Sequence, residues 1–383
     1  MDRKKIIIIS SIGVAVLVLM GFLIYLIIPK NSTFGQPSSS ESPAPSSTDI
    51  SLESSILNKI ISANIANVAW SDADKKFVAI SSDGFLYSIN PDSFIVSTTT
   101  NFGVSNINKV VWSSNKSRAV IYYNENNISK KFYFDTINQI TVPLDNKVGN
   151  AVFSPFGDQI LYVFNQLQDG LLKTFLSIAN PDGTKWKNLS TFPMPDALLY
   201  WPSETNKQSN KAYTTSPASG LLPNSVYLID TKNGSLQKFL DEQNGQQINF
   251  SPSGNKLLYS FVDGRGKNLQ LFYKNLQTNT SVLLPMKTLA EKCSFDASGE
   301  NVFCATPSRI SSDALMPDDY YSGSTNLSDD IWVYNIESNS ASQIIYSEKI
   351  PPLNIRYFEV SVDDSYIIFI SQQNGELFKL QIK

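Results

Sequence analysis

The sequence predicts an all-β fold in which one small sheet recurs along the chain. A short signature, an aromatic or apolar residue followed by a polar turn, occurs seven times. The copies are Trp70-Ser71, Trp112-Ser113, Phe153-Ser154-Pro155, Trp201-Pro202-Ser203, Phe250-Ser251-Pro252, Phe295-Asp296 and Val360-Ser361. The chain is also rich in Ile, Tyr, Phe, Val, Ser and Thr, most of which favour strands. Such a repeat is typical of a protein that stacks small sheets and has no single core.

Each signature marks the end of one strand, and a second strand follows after a polar turn. An apolar residue recurs seven positions later, which predicts antiparallel partners. The predicted pairs are Trp70 with Phe77, Phe153 with Ile160, Phe250 with Leu257, Phe295 with Val302 and Val360 with Ile367. Each unit then offers a third and usually a fourth strand, and four antiparallel strands form the blade of a β-propeller. The predicted fold is a seven-bladed β-propeller over residues 51–383.

Spacing supports this count, with one exception. Successive signatures lie 42, 41, 48, 49, 45 and 65 residues apart, and most of these values are close to the blade period of about 40 to 50 residues. The seventh unit ends at Lys383 without a fourth strand. We predict that residues 54–62 supply it, so that the two ends of the chain close the ring and leave no open edge. The alternative is a short amphipathic helix over residues 52–61, because short apolar runs are ambiguous.

The N-terminal residues predict a membrane anchor. Residues 1–5 include three basic side chains, and residues 6–28 carry no charge. As a helix this run is about 34 Å long, enough to cross a hydrocarbon core of about 30 Å. A cleaved secretory signal is the alternative, but it usually has a shorter apolar region and small residues at its exit. The interpretation is an uncleaved transmembrane helix.

The charges beside this helix predict its orientation. Basic residues prefer the cytoplasmic side, so residues 1–5 are placed in the cytoplasm and the propeller in the periplasm or at the cell surface. Residues 29–50 are rich in Ser and Pro and form a predicted linker between helix and propeller. The prediction is a single-pass membrane protein with a cytoplasmic N-terminus and an extracytoplasmic propeller.

The repeats resemble the TolB-type, WD40-like (PD40) propeller repeats of bacterial envelope proteins. The resemblance covers roughly residues 54–383, and residues 180–190 resemble the hairpin of the third and fourth strands in that group. It implies a periplasmic or surface-exposed binding scaffold. The chain departs from the pattern in an irregular stretch after Trp201, through Ala218, and in a long insertion in the sixth unit.

Composition limits the chemistry. The formal charge is −3 and only 17% of residues are charged, so the phosphate-binding surface that nucleic acids need is not evident. The chain has no His, which removes the commonest general base and the most frequent zinc ligand. We therefore expect no nucleic-acid partner, cofactor or metal.

Cys293 and Cys304 are the only cysteines. If Phe295 faces Val302, these two residues lie directly opposite each other on neighbouring strands, a spacing that a disulfide can tolerate. Outside the cytoplasm such a pair can oxidise. The alternative is two buried thiols that act as small apolar side chains.

The insertion from Thr306 to Asp330 is the candidate recognition loop, because long loops on rigid scaffolds often carry binding residues. Its acidic and aromatic side chains could meet a peptide, a glycan or a cation. The candidate residues are Asp318, Asp319, Tyr320, Tyr321, Asp329 and Asp330. The alternative is a solvated loop whose Tyr rings fold back on their own blade.

Two functions from different classes follow. The first is a non-catalytic, membrane-tethered scaffold that recognises protein or glycan partners outside the cytoplasm. The second is a carboxylate-dependent, glycosidase-like enzyme with its site in the central channel. Residues Asp182 to Trp186 are similar to the Asp-box of sialidase-like propellers but lack one residue of it, and no Gly-x-Ser-x-Gly elbow is present. The first function is preferred, with no catalytic residues assigned, and the oligomeric state stays open.

Overall fold

Antiparallel strands form the fold of the computed structural model, which describes residues 57–71, 74–203, 210–361 and 363–382. The predicted basic tail, transmembrane helix and linker, residues 1–5, 6–28 and 29–50, lie outside the described residues. In the part that is described, no helix has the length and apolar character needed to cross a bilayer.

The described residues contain 27 strands, one short α-helix and two 3₁₀ turns. The strands are β1 (Leu57–Ile61), β2 (Ile65–Ser71), β3 (Lys76–Ser81), β4 (Phe85–Ile89), β5 (Val96–Asn101), β6 (Ile107–Trp112), β7 (Arg118–Glu125), β8 (Ile128–Asp135), β9 (Ile140–Pro143), β10 (Val148–Phe153), β11 (Ile160–Gln168), β12 (Leu171–Ala179), β13 (Lys187–Thr191), β14 (Leu198–Tyr200), β15 (Lys211–Thr215), β16 (Pro223–Asp230), β17 (Leu236–Phe250), β18 (Lys256–Val262), β19 (Gln270–Asn275), β20 (Thr280–Leu283), β21 (Cys293–Phe295), β22 (Asn301–Pro307), β23 (Asp329–Asn335), β24 (Ser340–Ile345), β25 (Ile355–Val360), β26 (Tyr366–Ser371) and β27 (Leu377–Gln381). The helix is α1 (Asp318–Tyr321), and the 3₁₀ turns are Ala290–Lys292 and Ser347–Lys349.

These strands pair into five four-stranded sheets and one seven-stranded sheet. Four of the small sheets follow chain order, namely β2–β5, β6–β9, β10–β13 and β21–β24, and the fifth has the order β1-β27-β26-β25. The predicted all-β class of four-stranded antiparallel sheets is confirmed.

The seven-stranded sheet departs from the expected separation of units. Its order is β14 to β20, because β17 runs without a break over fifteen residues. Residues 236–244 of β17 pair with β16, and residues 244–250 pair with β18. The strand changes partner near Gly245, which has a φ of +63°. The turn expected between the two units is replaced by this bend, so one strand serves both.

The pairing register agrees with the sequence signature. All five predicted pairs are confirmed, from Trp70 opposite Phe77 to Val360 opposite Ile367. The register is specified strongly because a slip of one residue would move every apolar side chain to the other face of its sheet.

The signature Ser has a structural role in the turn that follows it. Ser154 is buried, and its Oγ accepts a hydrogen bond from the N–H of Gln159 at 3.1 Å. Ser251 does the same for the N–H of Lys256 at 3.2 Å. In the sixth unit Asp296 replaces Ser, and its Oδ1 accepts the N–H of Glu300 at 2.9 Å. In these three units the signature residue thus satisfies a backbone donor that would otherwise lack a partner in the buried turn.

The core lies between successive sheets. One apolar cluster joins Ile121 of the β6–β9 sheet to Ile80 of the β2–β5 sheet, and another joins Tyr122 to Ile160 of the β10–β13 sheet. A further cluster packs Ile368 of the β25–β27 sheet against Phe77 of the β2–β5 sheet. The last sheet therefore packs on the first, and the stack of sheets closes into a ring.

Strand β1 lies beside β27 at the end of this ring. Leu57 is opposite Leu380, and the two strands run antiparallel. The part of the predicted 54–62 strand that is described is therefore extended, and the alternative helix is not seen over residues 57–61. The β25–β27 sheet gains its fourth strand from the other end of the sequence.

One glycine permits a close approach between neighbouring units. Gly254 has a φ of +67°, and a Cβ at this position would lie 1.8 Å from the carbonyl oxygen of Ser203. We expect Gly254→Ala to lower the free energy of unfolding by about 3 kcal/mol, from left-handed strain and from overpacking. Urea denaturation measures this loss.

Gly103 is the matched control because it has the same φ of +67° and no atom within 4 Å of its Cβ position. Gly103→Ala adds only the left-handed backbone strain, so it should lower the free energy of unfolding by about 1 kcal/mol. Equal losses in the two variants would show that the contact with Ser203 does not restrict Gly254.

Candidate functional site

Polar side chains link the first strands of successive sheets. Trp112 Nε1 donates to Asn67 Oδ1 at 2.8 Å, and Lys109 Nζ donates to Asn150 Oδ1 at 2.7 Å. On the other side of the ring, Asn249 Nδ2 of β17 donates to the carbonyl oxygen of Cys293 of β21 at 2.8 Å. We call the space that β2, β6, β10, β14, β17, β21 and β25 surround the central channel. Burial lowers the pKa of Lys109 to about 8.

The signature residues converge on a cavity of about 650 Å³ at the end of these strands. We call this cavity the channel mouth. Five of the seven signature segments contribute to its wall, together with Ser114 and Lys116 from the turn after a sixth. The wall combines aromatic rings with hydroxyl and amide groups. The lining residues include Trp70, Ser114, Lys116, Trp201, Asn249, Phe250, Ser294, Phe295, Asp296 and Glu359. A concave wall of rings with a few polar groups is the usual form of a recognition site.

Both carboxylates of the channel mouth make internal hydrogen bonds. Glu359 Oε2 accepts the hydroxyl of Tyr357 at 3.2 Å, and its Oε1 lies 3.5 Å from the N–H of Trp70. Asp296 Oδ2 accepts the side-chain amide of Asn301 at 2.8 Å, in addition to the turn contact of Oδ1. These contacts fix Asp296 to its own turn and Glu359 to β25 and the neighbouring strand β2.

The insertion lies at the opposite end of the channel strands and is folded. Strand β22 extends to Pro307 and β23 begins at Asp329, so Asp329 and Asp330 belong to a strand and not to the expected loop. Between them, Met316, Tyr320 and Leu327 pack into an apolar cluster with residues of the seven-stranded sheet. This apolar cluster packs the insertion against the seven-stranded sheet.

Asp318 and Asp319 bind backbone groups. Asp318 Oδ2 accepts the N–H of Gly220 at 2.6 Å, and its Oδ1 accepts the hydroxyl of Ser219 at 2.9 Å. Asp319 Oδ2 accepts the N–H of Leu315 at 2.7 Å. Asp318 therefore connects the insertion to a segment about a hundred residues earlier, and Asp319 stabilises the turn before α1.

The two tyrosines of the predicted loop differ in exposure. Tyr320 is only 2% exposed, and its hydroxyl lies 3.3 Å from the carbonyl oxygens of Ile355 and Arg356. Tyr321 is 47% exposed, and its hydroxyl oxygen accepts a hydrogen bond from Gln247 Nε2. Of the six candidates, Tyr321 offers the most surface to a partner, and the recognition role of the others stays a prediction.

Asp329 forms a buried ion pair. Its Oδ2 is 2.7 Å from Lys292 Nζ, and both side chains are 0% exposed. The same Oδ2 accepts the N–H of Ile355 at 2.7 Å, and the Tyr320 ring lies 5.0 Å from Lys292 Nζ. Burial raises the pKa of Asp329, and Lys292 opposes that shift. The pair joins the Ala290–Lys292 turn to β23 and β25. The remaining candidate, Asp330, accepts the N–H of Ser347 at 2.7 Å.

Cys293 and Cys304 are bonded. They are opposite each other in the register of β21 and β22, as predicted, and a disulfide joins them. Both residues are buried in the cluster between the seven-stranded sheet and the β21–β24 sheet. The disulfide thus crosslinks the first two strands of one unit.

Glu291, which contacts Gln247 of the channel strand β17, has a raised pKa. Gln247 Nε2 donates to its Oε1 at 3.2 Å. Desolvation raises the pKa of Glu291 from its ordinary 4.5 to about 7, against hydrogen bonds from Gln247 and Tyr321 and the charge of Lys292. Its side chain is still exposed to water, which screens part of this desolvation.

A raised carboxyl pKa makes folding stability fall as pH rises. Between about pH 4.5 and 7 the folded state holds a proton at Glu291 that the unfolded chain has lost, so this contribution is complete at lower pH and absent above 7. We expect Glu291→Gln to be more stable than the parent at pH 8, by about 1 kcal/mol after screening, and equal at pH 4. Urea melts at both pH values test this, with Glu337→Gln at an exposed turn as the control. A difference that does not change with pH would contradict it.

Sequence patterns did not single out Glu291, Lys109 or Lys292. Lys109 and Lys292 each lie three positions before a signature residue, and this common offset was the signal that could have found them. Glu291 lies in a 3₁₀ turn before β21, so strand alternation could not place it.

A closed ring of antiparallel sheets, packed face to face around polar first strands, defines a β-propeller, and the described residues form one. No family model matches the sequence, and no curated protein matches it. Solved structures share the fold.

An oligogalacturonate lyase in complex with manganese is similar with a TM-score of 0.58 and 11% identity, covering 85% of this chain and 93% of that one. The β-propeller domain of Cps50 (Swd1) from Myceliophteria thermophila gives a TM-score of 0.57 and 11% identity, covering 86% of this chain and 100% of that one. TolB from Acinetobacter baumannii gives a TM-score of 0.45 and 15% identity, covering 83% of this chain and 63% of that one. At these identities the likeness of the first two shows the fold.

Among the residues that the structure describes, no three His, Cys, Asp or Glu side chains form a group suited to a metal ion.

Proposed function

We propose that this protein is a non-catalytic recognition scaffold, a seven-bladed propeller whose partner is a protein or a glycan that binds at the channel mouth. The count of seven treats the seven-stranded sheet as two units that share β17. The convergence of five signature segments on one cavity supports this function, because the fold then presents aromatic and hydroxyl groups together on a rigid frame.

The hydrogen bonds made by the two acids of the channel mouth favour binding over catalysis. Glu359 and Asp296 are hydrogen-bonded to neighbouring groups, whereas catalytic carboxyl pairs of glycosidases face each other across the scissile bond. The rings of Trp70 and Phe250 are half-buried at the cavity wall, which leaves apolar area for a ligand to cover.

Blocking the channel mouth tests this function. Ser294 is half-buried in the cavity wall, so Ser294→Arg would fill the space without removing a core side chain. The labelled unit that begins at residue 48 would be applied to a glycan array and a peptide display library. We expect bound ligands whose signal falls about tenfold or more in Ser294→Arg, since 1.4 kcal/mol suffices for that change.

Thr98→Arg is the matched control, because Thr98 is exposed on β5 and does not line the cavity. It should bind as the parent does. Ligands that bind Ser294→Arg equally well would place recognition elsewhere, and no ligand in either library would contradict the function.

We also propose that the propeller is held outside the cytoplasm by residues 6–28. Support comes from the uncharged run and the basic residues before it. The full chain should sediment with membranes, and a chain that begins at residue 48 should not. In intact cells or spheroplasts, a membrane-impermeant amine reagent should label lysines of the propeller. Labelling only after lysis would contradict this placement.

A second candidate, a carboxylate-dependent glycosidase-like enzyme, is favoured by Glu291 alone. A carboxyl group with a pKa near 7 suits a general acid, and Glu359 is a second acid on a channel strand. Release of reducing ends from a polysaccharide panel would reveal this activity. If Glu291→Gln and Glu359→Gln both abolished it, the enzyme would replace the scaffold; under the first proposal no release occurs.

A further inference from the structure

A second cavity, of about 310 Å³, lies between the connection from β9 to β10 and the β10–β13 sheet, away from the channel mouth. Its wall contains the rings of Phe164 and Trp186, stacked with centroids 5.9 Å apart and an interplanar angle of 20°. Trp186 is 57% exposed. A large ring left open beside a cavity offers apolar area that a ligand can cover.

The turn before Trp186 determines its position. Asp182 Oδ1 accepts the N–H of Thr184 at 3.0 Å and its hydroxyl at 2.7 Å. Gly183 has a φ of +83°, and its Cβ position lies 3.1 Å from Leu144 of the neighbouring unit. The turn is therefore packed against the segment that precedes β10. The motif similar to an Asp-box thus holds Trp186 beside the connection from β9 to β10.

Polar groups surround the two rings. Lys147 Nζ lies 6.0 Å from the centroid of Phe164. Asn188 Oδ1 accepts the hydroxyl of Ser177 at 2.7 Å, which directs its amide NH₂ away from that bond. Asp145 Oδ1 accepts the N–H of Lys147 at 2.8 Å and keeps a second oxygen for other donors. The side chain of Gln166 is the fourth of these polar groups in the wall of the cavity.

We propose that this cavity is a binding site for a neutral pyranose sugar, separate from the channel mouth. One face of a pyranose ring presents C–H groups that pack on the electron-rich face of an indole, here Trp186. Its hydroxyls both donate and accept, so the Asp145 carboxylate, the Lys147 ammonium and the Gln166 amide can each bind one. The opposite charges of Asp145 and Lys147 favour an uncharged ligand.

The size of the cavity agrees with this ligand. A volume of about 310 Å³ is at the lower end of ligand sites, and it suits one sugar ring with part of a second. The cavity is open to solvent, so an isolated disaccharide should bind with a Kd of about 1 mM. Several such units on one glycan chain would bind more tightly through avidity.

Saturation-transfer NMR with the full chain in detergent, using cellobiose and N,N′-diacetylchitobiose as probes, tests the proposal. We expect transfer to the ring protons of at least one sugar and quenching or enhancement of Trp fluorescence on titration. Trp186→Ala should weaken binding about tenfold or more, which corresponds to about 1.4 kcal/mol. Gln166→Ala should weaken it less.

Tyr346→Ala is the control, since Tyr346 is 45% exposed and has Lys349 Nζ 5.1 Å from its ring centroid but lines no part of this cavity. It should bind sugar normally. Thermal melts would verify that each variant is folded. Absence of transfer to both sugars, or transfer unchanged in Trp186→Ala, would overturn the proposal. Ser294→Arg should leave this binding intact, so failure here and failure at the channel mouth are separate results.

Discussion

Replacing Lys292 by Met should lower the free energy of unfolding by about 3 to 5 kcal/mol, because the variant leaves the Asp329 carboxylate buried without its cation. The Asp329 side chain is 0% exposed, and Lys292 Nζ, its charged partner, lies 2.7 Å from Asp329 Oδ2. The pKa of Asp329 should rise further in the variant, so the loss should be greatest at neutral pH and smaller in acid, where the carboxyl is protonated. Urea denaturation at pH 4 and pH 7.5 measures both effects.

Lys287→Met is the matched control. Lys287 precedes Lys292 by five residues and is exposed, so its loss should change stability by no more than about 0.5 kcal/mol. Lys292→Met combined with Asp329→Leu should recover much of the loss, since an apolar pair has no uncompensated charge. If Lys292→Met were as stable as the control, the ion pair would not hold the Ala290–Lys292 turn to β23 and β25.

This prediction also affects how Asp329 is tested as a recognition residue. Its side chain is 0% exposed, so it has no surface for a partner. A binding defect in Asp329→Ala would come from the displaced insertion. Tyr321, which is 47% exposed, is the better residue for that test.

Deleting β1 should destabilise the propeller by more than about 5 kcal/mol, since the deletion removes three apolar side chains that pack on the last sheet. Ile61 is 8% exposed, and Leu57 and Ile60 pack against the neighbouring clusters. The hydrogen-bonding edge of β27 would also be exposed, and such an edge pairs with other chains. A chain that begins at residue 63 should aggregate or melt without cooperativity, as judged by light scattering and circular dichroism.

Moving β1 to the other end of the chain supplies the control. Leu57 is opposite Leu380 in an antiparallel pair, so a short turn after residue 382, followed by residues 57–61, would form a hairpin with β27. This rearranged chain should regain cooperative melting and stay monodisperse. If it does not recover, or if the deleted chain is as stable as the parent, β1 does not close the ring.

Local features of the sequence were sufficient to predict most of the strands and the register of the predicted pairs. The pairing of Phe295 with Val302 depends on seven residues and one turn, and it also placed Cys293 opposite Cys304. Short-range pairing follows from alternation and turn residues, because both act within one hairpin. The single strand β17 was the exception, since a bend at Gly245 replaced a turn.

The sequence by itself therefore determined the class of fold, the register of five hairpins and the placement of Cys293 opposite Cys304. The tertiary structure alone decided which side chains meet across units. It buried Asp329 against Lys292, joined Asp318 to Gly220, brought five signature segments to one cavity and placed Trp186 and Lys147 in the wall of another. The physical reason is that these contacts depend on how each sheet is rotated and packed against the next, and that geometry comes from the closed ring as a whole, which no local pattern of residues encodes.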